Sequence, residues 1–469
     1  MRVSLTMIVK DEEADLPRCL ASVADCVDEI IVVDTGSTDR TKDVARRHGA
    51  AVFDFTWVDD FAAARNEALR HATGDWILWL DADDYLDDDN RRRLRALVAD
   101  LRDENAAYEM DCLLLHDAEA GKETIRVGHV RLFRNDPRVR WQHRVHEQVL
   151  PSLCQLGIDV RCTDIVIRHG GYFDPEWTRR KLERNLRLLR LEDAERPGHP
   201  FVTFNLGWTL YLLGRSAEAL PLLERARAWA TAEQPFTRQL YLLLAQVLAQ
   251  LGRIAESLAA CHAGLRVLPN EPSLLLEAAI RYYELGAWDE AERGFRAVLA
   301  STDRRARRET ARHNLAVLLL QRGKVAEAEE QWRTLLQERP QFNLAWSSLG
   351  YVWAQQGRWA ELEEAARWLE GDPQTWADSV VLRIRALLAR RDFASAKALL
   401  QSAIRHNPRS LALRIAWADV LLTEGNDGAA AEQALQDVLT LNPNYEQARQ
   451  QLAALRQRPA SSPSIMVSW

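Results

Sequence analysis

The chain has 469 residues, 47% of them apolar, and a formal net charge of −7 from 61 Lys and Arg against 68 Asp and Glu. That length exceeds one ordinary domain, and an acidic balance without a concentrated basic stripe excludes nucleic acid as the main partner. Six scattered cysteines without a CxxC pair exclude a zinc framework or a disulfide scaffold and fit a reducing cytoplasm, and no uncharged apolar run of about 18 residues is available to span a membrane.

The first third alternates short apolar runs with helical patterns, the signature of βαβ units. A strand is expected over Val3–Val9, with no targeting segment ahead of it. A helix over Leu16–Val23 and a strand over 29–33 follow. The next helix, 38–48, is closed by Gly49, and 51–55 is a third strand. Asp60 is placed to cap a helix over 61–72. A fourth strand covers 76–80 and a helix 90–101, with additional strands over 111–116, 124–133 and 165–169.

Two of the strands end abruptly in carboxylates: Ile30-Ile31-Val32-Val33-Asp34 and Trp76-Ile77-Leu78-Trp79-Leu80-Asp81-Ala82-Asp83-Asp84. Continuous apolar runs read as strands of a parallel sheet buried on both faces. Ligands of such sheets sit outside the carboxyl ends of the strands, so Asp34, Asp81 and Asp83 should share one rim. Carboxylates gathered there repel one another unless a cation lies among them, and a divalent ion carrying a phosphorylated ligand meets that need.

Four segments in this order resemble the glycosyltransferase family 2 enzymes, which have the A-type nucleotide-sugar fold. They are Ser4-Leu5-Thr6-Met7-Ile8-Val9-Lys10-Asp11-Glu12-Glu13, Val33-Asp34-Thr35-Gly36-Ser37-Thr38-Asp39, Ala64-Arg65-Asn66 ahead of Gly74-Asp75, and Leu80-Asp81-Ala82-Asp83-Asp84. The resemblance covers about the first 175 residues. It implies that Asp83 is a ligand of Mn2+ or Mg2+, with Asp81 near the ribose and the metal, and that Asp84 could substitute. It also implies that Asp34 hydrogen-bonds the base, typically uracil. Glu12 and Lys10 in the first turn are further candidates for the nucleotide. Arg65 is either a partner of the diphosphate, since a guanidinium matches phosphate geometry, or a surface ion pair.

Inverting transfer needs a general base, which the family places after the metal motif. In Arg140-Trp141-Gln142-His143-Arg144-Val145-His146-Glu147-Gln148-Val149 the choice is Glu147, with His146 orienting it or sharing the role; the alternative is a polar pair that holds a loop. His169, in His169-Gly170-Gly171-Tyr172, is the candidate third metal ligand or diphosphate contact, with a structural role as the alternative.

From about Trp177 the chain reads as helices. Turn glycines Gly214, Gly252, Gly286, Gly323 and Gly357 recur at intervals of 38, 34, 37 and 34, Arg391 takes the glycine's place 34 residues later, and Gly425 follows after another 34. Small residues such as Gly207, Ala245 and Gly350 precede the turns, and Pro269, Pro340, Pro408 and Pro443 close units. The pattern resembles a tetratricopeptide array of about seven helix pairs. The expected layout is a catalytic domain over 1–175, a connecting helix over 176–200, repeats over 201–457 and a disordered tail over 458–469.

The expectation is therefore an inverting, metal-dependent transferase. It takes a nucleotide-sugar donor, UDP in the family's usual case, and a protein, peptide or glycan acceptor. The architecture resembles bacterial enzymes of this family with C-terminal repeats, some of which glycosylate peptides at cysteine, and others of similar N-terminal sequence act on lipopolysaccharide core sugars. The repeats are read as an acceptor surface or as the interface of a homodimer. The competing reading is a non-catalytic scaffold with a degenerate nucleotide-sugar domain.

Overall fold

The computed structural model describes every residue except 103, 115–124, 171–174, 233, 235, 302–304 and 457–469. The tail expected over 458–469, Tyr172 and the adjoining ends of the strands expected over 111–116 and 124–133 lie outside the described residues. The chain forms two compact units, Met1–Leu251 and Gly252–Trp469.

The first unit holds strands β1 (Val3–Val9), β2 (Glu29–Asp34), β3 (Ala51–Asp54), β4 (Trp76–Trp79), β5 (Asp84–Tyr85), β6 (Ala106–Leu114), β7 (Ile125–Arg134) and β8 (Asp159–His169). Helices α1 (Leu16–Val23), α2 (Thr41–Arg47), α3 (Phe61–His71), α4 (Asp88–Asp100) and α5 (Leu150–Gln155) lie among them, followed by α6 (Pro175–Glu195), α7 (Pro200–Leu212), α8 (Ser216–Arg227) and α9 (Thr237–Gln250).

The eight strands make one sheet in the order β3-β2-β1-β4-β7-β6-β8-β5. The first four in that order are parallel, and β7 runs antiparallel to β4. Both faces are covered, which is why β4 is buried at every position and β1 at all but one. Leu5, Trp76 and Met110 pack with Leu16, Leu20 and Leu94 of α1 and α4. On the other face Ile77 and Phe133 pack with Leu69 of α3 and Leu153 of α5.

Boundaries differ from expectation where tertiary contacts intervene. The helix expected from 38 begins at Thr41, because Asp39 accepts hydrogen bonds from the Thr41 backbone N–H and hydroxyl at 2.9 and 2.5 Å, while Asp11 takes the Thr38 N–H at 2.7 Å. β6 starts at Ala106 and β8 at Asp159, ahead of the expected 111 and 165. The polar residues of 159–164, largely outside the core, hide the early part of β8 from an apolar pattern.

α6 covers the expected connecting stretch, and the first compact unit extends through α7, α8 and α9 to Leu251. The reason is packing: the His143 ring lies 4.4 Å from Phe201 and 5.2 Å from His199, at the start of α7.

The second unit holds α10 (Ile254–Val267), α11 (Pro272–Glu284), α12 (Trp288–Ser301), α13 (Arg305–Gln321), α14 (Val325–Glu338), α15 (Asn343–Gln355), α16 (Trp359–Glu370), α17 (Trp376–Ala389), α18 (Phe393–His406), α19 (Leu411–Glu424), α20 (Gly428–Leu441) and α21 (Glu446–Arg456). Among the described residues α7 and α8 pair in the first unit, and α11 with α12, α13 with α14, α15 with α16, α17 with α18 and α19 with α20 pair in the second, as helix–turn–helix repeats. The turns need a left-handed residue: φ is 70 to 75° at Gly214, Gly252, Gly286, Gly323, Gly357 and Gly425, and 57° at Arg391. Gly350 meets a neighbouring helix so closely that a Cβ there would lie 2.5 Å from the Leu382 side chain. Among the described residues no helix is long and apolar enough to cross a membrane. All six cysteines are free thiols.

Candidate active site

Val9 pairs with Asp34 across the parallel strands β1 and β2, so the turns after both strands open on one rim. The two turns are laced together. The Asp11 N–H donates to Ser37 Oγ at 2.9 Å and the Glu12 N–H to Thr41 Oγ1 at 2.7 Å. Asp34 is 1% exposed; its Oδ2 accepts from the N–H groups of Gly36 and Ser37 at 3.1 and 3.0 Å. Its Oδ1 is buried and has no hydrogen-bond partner. A buried acceptor left open in this way fits a ligand N–H donor. Lys10 follows β1 at the same rim and is exposed.

β4 delivers the acidic motif. Asp84 is fully buried and serves as a hub. Its Oδ2 accepts from the Asp81 N–H at 2.9 Å and from the Arg131 guanidinium at 2.9 Å, and its Oδ1 lies 2.9 Å from His169 Nδ1. Asp84 also groups with Cys112 and His169, with ligand atoms within 4.8 Å of one another. Because Arg131 already neutralises Asp84, and burial pushes the Cys112 thiol up to about 11, that trio is a poor cation cage. The same commitment removes Asp84 as a substitute for its neighbours in binding an ion.

His169 spans the motif: Nδ1 faces Asp84 and Nε2 lies 3.2 Å from Asp83 Oδ2. Burial, with Asp81 and Asp84 close by, pushes the Asp83 carboxyl up to about 6, although His169 opposes the rise. Glu12 is pushed up to about 7 by burial and then by the carboxylates of Asp83, Asp15, Asp81 and Asp39. The rim thus carries more negative charge than its own cations balance, and oxygen ligands with one imidazole suit a hard divalent ion.

Asp81 is held differently. Against the effect of burial, the Arg65 guanidinium and then Arg131 keep its carboxyl well below the usual range. Arg65 is 6% exposed, donates Nη2 to Asp81 and Nε to Glu147, each at 2.7 Å, and lies over the Trp79 and Trp141 rings. Through Nε and Nη2 Arg65 bridges two carboxylates, while its buried Nη1 has no partner among the described residues. The ion-pair alternative for Arg65 is present, as a buried clamp between Asp81 and the loop that carries Glu147 rather than a surface pair.

That loop, 140–149, is held from two directions. Asn66 exchanges hydrogen bonds with the backbone of Trp141 at 2.9 and 3.0 Å. From α6, the buried Glu192 accepts from His143 Nδ1 at 2.7 Å and from the Arg144 N–H at 2.8 Å. His143 and His146 both take positive φ, 76° and 56°, so the loop turns sharply on either side of Arg144 and Val145. Glu147 sits inside it with a side chain 14% exposed, while His146 is exposed.

Residues 4–173 match the family described as glycosyl transferase family 2, and 204–272, 313–374 and 381–446 match the tetratricopeptide repeat. A TPR repeat-containing protein of Synechococcus elongatus is 36% identical over 295 residues, which is 61% of this chain and 69% of that protein. The chain belongs to the family 2 glycosyltransferases that carry tetratricopeptide repeats.

The glycosyltransferase SunS of Bacillus subtilis, of SPbeta prophage origin, is 28% identical over 231 residues, 48% of this transferase and 53% of SunS. This transferase therefore spans about half the length of that relative. A tetratricopeptide repeat protein from Parabacteroides merdae superposes on it with a TM-score of 0.47 at 16% identity, covering 55% of this chain and 99% of that one.

The structure of this transferase brings Glu12, Asp81, Asp83 and His169 together, and through Arg65 it joins Asp81 to Glu147. Sequence reasoning missed Asn66, Arg131 and Glu192 as supports. Asn66 stood in a segment already singled out and Arg131 in an expected strand, but the partners of each lie tens of residues away, and Glu192 had no local signal at all.

Proposed function

We propose that the transferase moves a sugar with inversion from a UDP-sugar to a protein, peptide or glycan acceptor, assisted by Mn2+ or Mg2+, in the cytoplasm. The observation that carries this reading is His169 between Asp84 and Asp83. With Nδ1 held by the buried carboxylate of Asp84, Nε2 is turned toward the rim and Asp83; against the effect of burial Asp84 and then Asp83 raise the imidazole's pKa, so an ion taken up there would displace the Nε2 proton. Asp83 and His169 would hold the ion, with Asp81 beside it. When bound, such an ion neutralises the charge that grows on a departing diphosphate.

The chain's own residues do the rest. Asp34 Oδ1 accepts the ring N–H of the base, which favours uracil over a base offering only acceptors at that point. Lys10 supplies a mobile positive charge near the phosphates, and Glu12 lies alongside. Glu147 takes the acceptor's proton, held in place by Arg65 Nε, with His146 on its exposed flank. The test is a panel of nucleotide sugars with and without Mn2+. UDP-sugars should raise the melting temperature and be slowly hydrolysed only with the ion, and Asp83→Asn should abolish turnover in a folded protein. Full activity in EDTA would remove the metal role.

A further inference from the structure

Between α17 and α19 in the repeats lies a cavity of about 180 Å3. Its walls are aliphatic, built from Val381, Ile384 and Leu388 on α17 and Ile415 on α19, yet two carboxylates, Asp378 and Asp419, also line it. Neither carboxylate makes a side-chain hydrogen bond or an ion pair with a described residue. Arg385, also in the lining, is stacked over the Tyr351 ring at 4.8 Å and acts on Asp419 from a distance. Burial raises both carboxyls, and Asp419 reaches about 6 even though Arg385 opposes the rise.

Two half-buried carboxylates with no direct ion pair, and one guanidinium nearby, are costly to keep in a folded protein. An ammonium or guanidinium group would relieve them, and the aliphatic walls require the group to arrive on an apolar stem. Lysine and arginine side chains combine these two features. A hard metal ion does not suit the cavity, because it would need six or more oxygen ligands and the walls supply hydrocarbon. An anion is repelled, and an aliphatic side chain would leave the carboxylates unpaired. α17 and α19 are first helices of successive repeats and pack directly on one another, as do α15 and α17. Such rows of first helices form the extended surface on which repeat arrays take polypeptide segments.

We propose that the pocket formed by Asp378, Asp419 and the aliphatic residues of α17 and α19 is a subsite for one lysine or arginine side chain of an extended polypeptide. The subsite lies wholly within the repeats and does not rest on the assignments at the catalytic rim.

The test uses the full-length protein and fluorescein-labelled Gly/Ser octapeptides with a central lysine, norleucine or glutamate, read by anisotropy at low salt. The lysine peptide should bind at least tenfold more tightly than the norleucine peptide, and the glutamate peptide should bind most weakly. Asp378→Asn/Asp419→Asn should bring the lysine peptide down to the norleucine level, whereas Glu364→Gln, an exposed acid on α16, should leave it unchanged. The Asp→Asn protein should also melt at the same or a higher temperature at pH 7, since it loses unpaired carboxylates. Equal binding of lysine and norleucine peptides, no binding of either at millimolar concentration, undiminished binding by the double variant, or a melting temperature lowered by several degrees would each overturn the proposal. The last outcome would make the two acids supports of the fold.

Discussion

His143, four residues ahead of Glu147, gives its Nδ1 proton to Glu192 of α6 at 2.7 Å, and both side chains are almost completely buried. The helix that leads out of the sheet thereby fixes the loop that carries Glu147, the proposed base. Glu192→Ala should cost about 1.5–3 kcal/mol of stability, the scale of a buried hydrogen bond to a charged group. It should also lower kcat with little change in UDP affinity. Denaturation midpoints, steady-state kinetics and calorimetry together check this; unchanged kcat in a destabilised protein would make Glu192 purely structural.

Arg65 joins Asp81 to Glu147 through two different nitrogens. Lysine offers a point charge and cannot reproduce that fork. Arg65→Lys should therefore lower transfer by at least tenfold while the protein still binds Mn2+. If the lysine variant transfers sugar at the original rate, the bridge is dispensable and Glu147 is positioned by its loop alone.

Asp34→Ala removes the one buried oxygen left open at the base end of the rim. UDP should bind about 1.5–3 kcal/mol more weakly, the scale of a charged hydrogen bond, and by the same amount whichever sugar is attached. Calorimetry with UDP and two UDP-sugars provides the comparison, and equal affinities in the variant and the parent would reassign the residue to turn-building.

Glu12 and Asp83 are raised to about 7 and about 6 in the metal-free protein. Because both folded values lie above the ordinary carboxyl range, the stability they contribute is fully present below that range and is lost as pH rises through 6 to 7. In EDTA the melting temperature should fall from pH 5 to 7.5. Mn2+ should cancel the fall, and its affinity should increase over the same interval. Melts at several pH values with and without the ion decide; a flat profile in EDTA would mean that the carboxylates are relieved in some other way.

Arg391 occupies, at φ 57°, a left-handed turn that glycine fills in the other repeats. A non-glycine residue pays roughly 1–2 kcal/mol for that conformation. Arg391→Gly should therefore stabilise the array by about 1 kcal/mol, after allowing for the greater freedom of glycine in the unfolded chain. Urea denaturation followed by circular dichroism is sufficient to detect the change.

The parts legible in the sequence were those carried by contiguous residues. Asp34 and the Asp81–Asp84 run announce themselves by closing apolar strands, and the repeats by their turn spacing, including the substitution at Arg391. The supports were not legible because their information is held in pairs. Arg131 meets Asp84 across 47 residues and His143 meets Glu192 across 49, and neither pairing leaves a local periodicity. A change of composition near Trp177 marks where helices begin, whereas the first compact unit ends where the contacts of α7, α8 and α9 end, at Leu251. Arg65 was recognised as a functional position, but its role depended on where Glu147 would fold.

The dependence of loop 140–149 on Glu192 also has a consequence for synthesis on the ribosome. Glu192 is made 45 residues after Glu147, a delay of roughly 2–9 s at about 5–20 residues per second. During that interval His143 has no acceptor, whereas the turns after β1 and β2 that carry Asp34 are already made and β8 with His169 is completed 22 residues after Glu147. The nascent chain should therefore acquire nucleotide binding before it acquires an ordered base loop, so that donor capture precedes the capacity for transfer in the life of each molecule.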